Sequence, residues 1–280
     1  MDNRIPLLPL VTLALLLSGP AWADVETEAA ALSSRVAAGT LAPDRLEVAA
    51  LLGHEPAIRA LGRRPNADAL GRCGREGSVR LALAGARSAA ARWGGEPAGT
   101  IGRALAAMEA WLACPCGEHA QGCQQLEKEV EELTLALGED VEPGAPGNEI
   151  RLDDMERRSA IGLAVHAALM TVRAPLEQEP HGPQPAPGLA LEAVGGAGAA
   201  EGLLRRAEAP QPSEAAAKLM LEGLAGGGHG RPSRETVAAG KADLQRWQEE
   251  LAAFERAARG RVLGEVRAAY LPWLLSAAPR

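Results

Sequence analysis

Cys114, Cys116, His119 and Cys123 place four soft or borderline metal ligands within ten residues. Zinc takes such nitrogen and sulfur sets tetrahedrally. Cys116 and His119 are three residues apart and His119 and Cys123 four, so a continuous helix would turn all three to one face. Against a metal stand the absence of paired knuckles and the local origin of all four ligands. The Cys114-Pro115-Cys116 pair also invites a redox reading, but a reactive thiolate needs a basic neighbour, and none lies within several positions.

Compartment decides between these chemistries. Asp2 and Arg4 precede an apolar run, Ile5 to Leu17, followed by Ser18-Gly19-Pro20 and the small-residue site Ala21-Trp22-Ala23. This is the pattern of a secretory signal over residues 1–23, with Asp24 as the first mature residue. The run falls short of the ~20 residues of a spanning helix, and the expected home is the periplasm or beyond. Disulfides persist there. The even set Cys73, Cys114, Cys116 and Cys123 is therefore expected as two structural disulfides, with zinc at Cys114, Cys116, His119 and Cys123 as the alternative. A Cys114–Cys116 bond would close a very tight ring, so Cys73 is expected to join one member of that pair and Cys123 the other. A Cys116–Cys123 bond requires Cys116 to lie outside the helix, since seven helical residues span about 10 Å.

The remaining polar residues carry weaker signals. His54 follows a helix end and reads as a C-terminal cap. His166 lies in an apolar run and reads as a core or groove histidine, while His181 and His229 fall in loop-like stretches. Asp153, Asp154 and Glu156 are acids where a first helical turn favours them. Gly226 to Gly230 is glycine-rich but follows a helical pattern and lacks a Lys-Ser/Thr, so it is no phosphate loop. No serine or cysteine has a nucleophile motif around it, and no catalytic residue is assigned. Trp111 and Trp273 read as packing residues.

The elements that must hold these residues are helices. Apolar residues make up 47% of the 280, yet there is one Phe and one Tyr, so the core is built from Ala and Leu. That composition suits helices packed closely on helices, and no stretch alternates as a strand must. Helices are expected over Val25–Ala38, from Pro43 with a break at Gly53–Pro56, over Glu76–Trp93, from a Thr100 cap to Ala113, and over Glu118–Leu137. Gly62 to Gly74 reads as a connector holding Cys73. Gly138 to Asn148 reads as a linker between an N-terminal helical-hairpin domain (24–137) and a C-terminal helical region (149–280). In the latter, 175–187 is expected as a loop, 189–209 as helical in composition but cut by Gly195, Gly196 and Gly198, and 213–224 as a helix. The longest stretch runs from Ser233 to about Tyr270, with Pro272 ending it and Trp273-Leu274-Leu275 folding back.

Leu46–Gly62, Val79–Trp93 and Ile101–His119 together resemble helical modules of uncharacterised bacterial proteins, similar to HEAT-type pairs and to immunity-type proteins of toxin systems. The resemblance covers about residues 44–135 and implies a protein-binding module with no catalytic residues. The net charge of −7 shows no basic stripe, so nucleic acid is not the expected partner. The expectation is an exported, non-enzymatic all-α protein that binds another protein, without a membrane span once the leader is removed.

Overall fold

The computed structural model describes residues 20–94, 99–137, 148–177, 184–224 and 234–276, and every regular element among them is helical. The apolar leader segment, the linker at 138–147, His181, and the glycine run with His229 lie outside the described residues. The chain divides into two compact units, 1–78 with 267–280, and 79–266. Residues on both sides of the 138–148 linker belong to the same unit.

In the first unit, α1 (Pro20–Ala37) packs on α3 (Glu55–Leu61), while α2 (Pro43–Leu51) packs on α3 and on the short α4 (Ala69–Arg72). Gly39 and Gly62 end α1 and α3 in the left-handed conformation that glycine adopts without strain. The expected connector 62–74 contains the turn α4, which delivers Cys73 to its C-terminal end. What fixes this connector is Glu47, 4% exposed on α2. Its carboxylate accepts from Arg63, from the Asn66 amide (3.1 Å) and from Arg72 (3.4 Å). A lone buried carboxylate is costly, so the polar connector must fold over it.

His54 departs from expectation. It is the N-cap of α3 with an extended backbone, and its Nε2 lies 3.1 Å from Glu28 Oε1, so it starts a helix where capping of the preceding one was expected. Thr100 likewise lies inside its helix rather than capping it.

The second unit is built from most of α5 (Gly74–Ala90), then α6 (Gly99–Ala113), α7 (Gly117–Ala136), α8 (Asn148–Met170), α9 (Ala186–Leu204), a single 3-10 turn at Arg206–Glu208, α10 (Glu214–Leu224) and most of α11 (Arg234–Ser276). Neighbours in sequence pack in turn, α6 on α7, α7 on α8 and α8 on α9. The buried face of α6 carries Ile101, Ala104, Met108 and Trp111, a helical period of three and four.

Contrary to expectation, α9 is continuous through Gly195, Gly196 and Gly198. Gly196, and Gly85 of α5, stand at crossing points. A Cβ on Gly196 would lie 2.8 Å from Ala164 Cβ of α8, and one on Gly85 of α5 would lie 2.8 Å from the Val194 amide nitrogen of α9. The helix backbones approach closely there, and the packing gained offsets the intrinsic cost of glycine in a helix.

The end of α11 corrects a second expectation. The helix passes through Pro272 to Ser276, and Trp273 and Leu274 belong to it instead of folding back. Within the first unit Leu274 is fully buried and Tyr270 2% exposed. Arg35 donates to the Leu275 carbonyl and Arg45 to that of Leu274 (3.2 Å). Arg45 also lies over the Trp273 ring at 4.7 Å. Burial and arginine capping of the last carbonyls outweigh the one backbone bond that Pro272 removes.

The second unit has its own buried carboxylate. Glu201 of α9 is 3% exposed and accepts from Arg92 Nε (2.7 Å), Arg205 Nε (2.6 Å) and Arg261 Nε (2.8 Å). Arg92, itself 7% exposed, also donates to both oxygens of Glu265 (2.8 and 2.9 Å) and to the Ser88 carbonyl. Burial alone would push the Glu201 carboxyl up, but the three guanidiniums outweigh it and leave it below the ordinary carboxylate value. The hydrogen bond from Arg92 likewise lowers Glu265.

Two expectations follow from this packing. Glu201→Gln leaves Arg92 without its closest buried counter-charge and should cost about 3 kcal/mol in urea unfolding. Because these native carboxyls titrate below the unfolded value of about 4.3, their contribution is complete above that pH and is lost as pH falls through the native values. The wild-type protein should therefore show an acid-unfolding step below about pH 4 that Glu201→Gln diminishes. Gly85→Ala, which helix propensity alone would make stabilising, should instead lower stability by about 1–3 kcal/mol by overpacking.

Candidate functional site

α6 ends at Ala113 and α7 starts at Gly117, so the reversal between them is made by Cys114-Pro115-Cys116. Pro115 disfavours helical conformation at Cys114 and cannot continue the α6 hydrogen bonds. Cys116 is the N-cap of α7, with an extended backbone (φ −129°, ψ 165°) and no side-chain cap bond. His119 follows in the first turn.

This reversal gathers three of the sequence candidates. The ligand atoms of Cys114, Cys116 and His119 all lie within 4.8 Å of one another. Cys114 is exposed, and Cys116 and His119 are half-buried. His119 Nδ1 lies 2.9 Å from the Cys114 carbonyl oxygen. A carbonyl only accepts, so Nδ1–H is the donor and Nε2 carries the lone pair that can meet a metal. The thiol of Cys114 is pushed up from its ordinary value, chiefly by its hydrogen bond with Cys116.

Cys123 does not join them. It is 1% exposed and lies on the buried side of α7, seven residues before Val130, which is fully buried. The expectation of one helical face failed because Cys116 lies before the helix starts, while only His119 and Cys123 are within it. Burial pushes the Cys123 thiol up to about 11.

Cys73 belongs to the first unit, in a cleft lined by Asp44, Arg45, Arg72, Arg75 and Trp273. Its thiol is also pushed up to about 11, by burial before all else, with Arg45 and Arg72 opposing and Asp44 reinforcing the rise. All four cysteines are free thiols, and the two expected disulfides are not formed in the structure.

The other candidates separate. His166 is half-buried, with Nε2 3.9 Å from Glu127 Oε1. Asp154 pairs with Arg157 and Arg158, and Glu156 with Arg206 (2.7 Å), so these acids are committed to separate ion pairs. Trp111 is buried at 7%, as a packing residue should be, and Trp273 is half-buried beneath Arg45.

Sequence reasoning missed the Arg92–Glu201–Glu265 cluster. The spacing between its members, 109 residues from Arg92 to Glu201, leaves no local signal. No protein-family model, curated protein or solved structure matches the chain. No helix among the described residues is long and apolar enough to cross a membrane.

Reactivity should follow this geometry. With a limiting alkylating reagent at mildly alkaline pH, Cys114 and Cys116 should be labelled first. Cys73 and Cys123 should react only on denaturation, as read by peptide mass mapping.

Proposed function

We propose that the protein is an exported helical protein that binds one thiophilic metal ion, zinc or a similarly soft cation, through Cys114, Cys116 and His119. The observation that carries this reading is the approach of those three ligand atoms to within 4.8 Å at an accessible helix reversal. A zinc ion holds sulfur at about 2.3 Å and nitrogen at about 2.0 Å, so ligands around one ion sit within roughly 4 Å of each other. Small rotations of three side chains close that gap.

Three protein ligands leave a fourth tetrahedral position open. The site sits on an exposed turn, and with its two thiolates and its imidazole all spent as ligands none is left to act as nucleophile or general base. Capture and hand-over of the ion therefore suit it better than hydrolysis. The fourth donor then comes from water or from a partner protein, which keeps another protein as the expected partner. Export rests on the leader pattern of residues 1–23.

The test uses the full chain, reduced and then titrated with Zn(II) or Cd(II) without oxygen. Native mass spectrometry should show one ion per chain, and Cd(II) should raise a thiolate charge-transfer band. Cys114→Ser and Cys116→Ser should abolish the band, and His119→Gln should weaken binding at least tenfold, about 1.4 kcal/mol. Cys123→Ser should leave it intact. Absence of stoichiometric uptake, or loss of binding in Cys123→Ser equal to that in Cys116→Ser, overturns the reading. If the exported protein gains two hydrogens per disulfide on reduction and takes up no metal, the cysteines serve as cross-links instead.

A further inference from the structure

A recess of about 570 Å³ opens in the second unit and shares no residue with the cysteine group. One wall is α9, where Gly198, Ala199 and Gly202 contribute almost no side-chain volume. The facing wall is α11, where Trp247, Leu251, Phe254 and Ala258 recur at spacings of four, three and four, a single helical face. The segment from Ala209 to Pro212 closes one end.

This recess is built by the protein's own bonds. Trp247 Nε1–H donates to the Pro210 carbonyl at 2.8 Å, which ties the closing segment to α11. Trp247, Leu251 and the chain's one phenylalanine, Phe254, remain half-exposed around it. Fully burying a side chain of the Leu or Phe type is worth about 1.5–3 kcal/mol, and that gain is left incomplete here. The volume falls within the ~300–1,000 Å³ of small-molecule sites, which pair apolar linings with a few placed polar groups.

Charge selects the ligand. The rim carries Arg206, Arg259 and Glu255. Arg206 is committed to Glu156 at 2.7 Å. Arg259 makes no ion pair or hydrogen bond among the described residues, and its stem lies against Gly198, whose Cβ position is 3.2 Å from Arg259 Cγ. Packing the stem on α9 leaves the guanidinium at the mouth of the recess. A planar guanidinium matches a carboxylate through two parallel N–H···O bonds. With Arg206 already answered by Glu156, Arg259, packed on α9 at Gly198, is the guanidinium placed to receive an anionic head.

We propose that this recess binds a free, single-chain amphiphile with a terminal carboxylate. Its apolar body lies against Trp247, Leu251 and Phe254, and its carboxylate is held by Arg259. The site is independent of the metal reading.

Calorimetric titration of the full chain with dodecanoate, dodecanol and dodecyltrimethylammonium, each kept below its micelle concentration, tests this. Dodecanoate should bind saturably at one site, about tenfold or more tighter than dodecanol, the value of one charge-assisted hydrogen bond. Arg259→Gln should bring dodecanoate to the level of dodecanol and leave dodecanol unchanged. Gly202→Leu adds side-chain volume where a Cβ meets nothing within 4 Å, and should weaken both by at least tenfold with an unaltered helical melt. Cys114→Ser should bind dodecanoate as the wild type does. No saturable binding, equal affinity for the ammonium amphiphile, or indifference to both Arg259→Gln and Gly202→Leu overturns the proposal.

Discussion

A buried carboxylate that must be surrounded by guanidinium groups organises each half of this structure. Glu201 sits on α9 with Arg92, Arg205 and Arg261 around it, and Glu47 sits on α2 with Arg63 and Arg72. Removing a carboxylate from water is expensive unless its oxygens are answered, and the answer fixes where the donors go. In the second unit that requirement brings the segment after α5, the C-terminal half of α9 and the middle of α11 to one point. In the first unit it folds the polar connector over α2. A core of alanine and leucine packs closely but offers few shapes that distinguish one helix register from another. The ion clusters supply that distinction.

Close packing is the second constraint. With one Phe and one Tyr in 280 residues, the interior cannot be filled by large rings, and helices must approach closely instead. Gly85 and Gly196 stand where backbones or small side chains of neighbouring helices come within van der Waals range. The recess beside Trp247 is where this economy fails, because Gly198 and Gly202 face a stripe of large residues without filling the space between.

The chemistry lies where both constraints relax. The reversal at Cys114-Pro115-Cys116 is short, proline-interrupted and solvent-accessible, and it brings its two thiols and His119 within 4.8 Å of one another. Cys73 and Cys123 are held by burial as poorly acidic thiols. The same residue type thus meets two surroundings in one chain, an accessible turn and a buried one.

The sequence alone determined the all-helical class, the positions of most helices and their breaks, and the closeness along the chain of Cys114, Cys116, His119 and Cys123. These are local: helical periodicity, proline and glycine punctuation, and ligands within a few residues of each other depend only on neighbours along the chain. The sequence could not show that Cys123 turns inward, that α9 continues through its glycines, or that α11 runs past Pro272. It could not show that Arg92 meets Glu201. Each of those was decided by tertiary structure, because burial and long-range ion pairing add free energies larger than the local preferences they override.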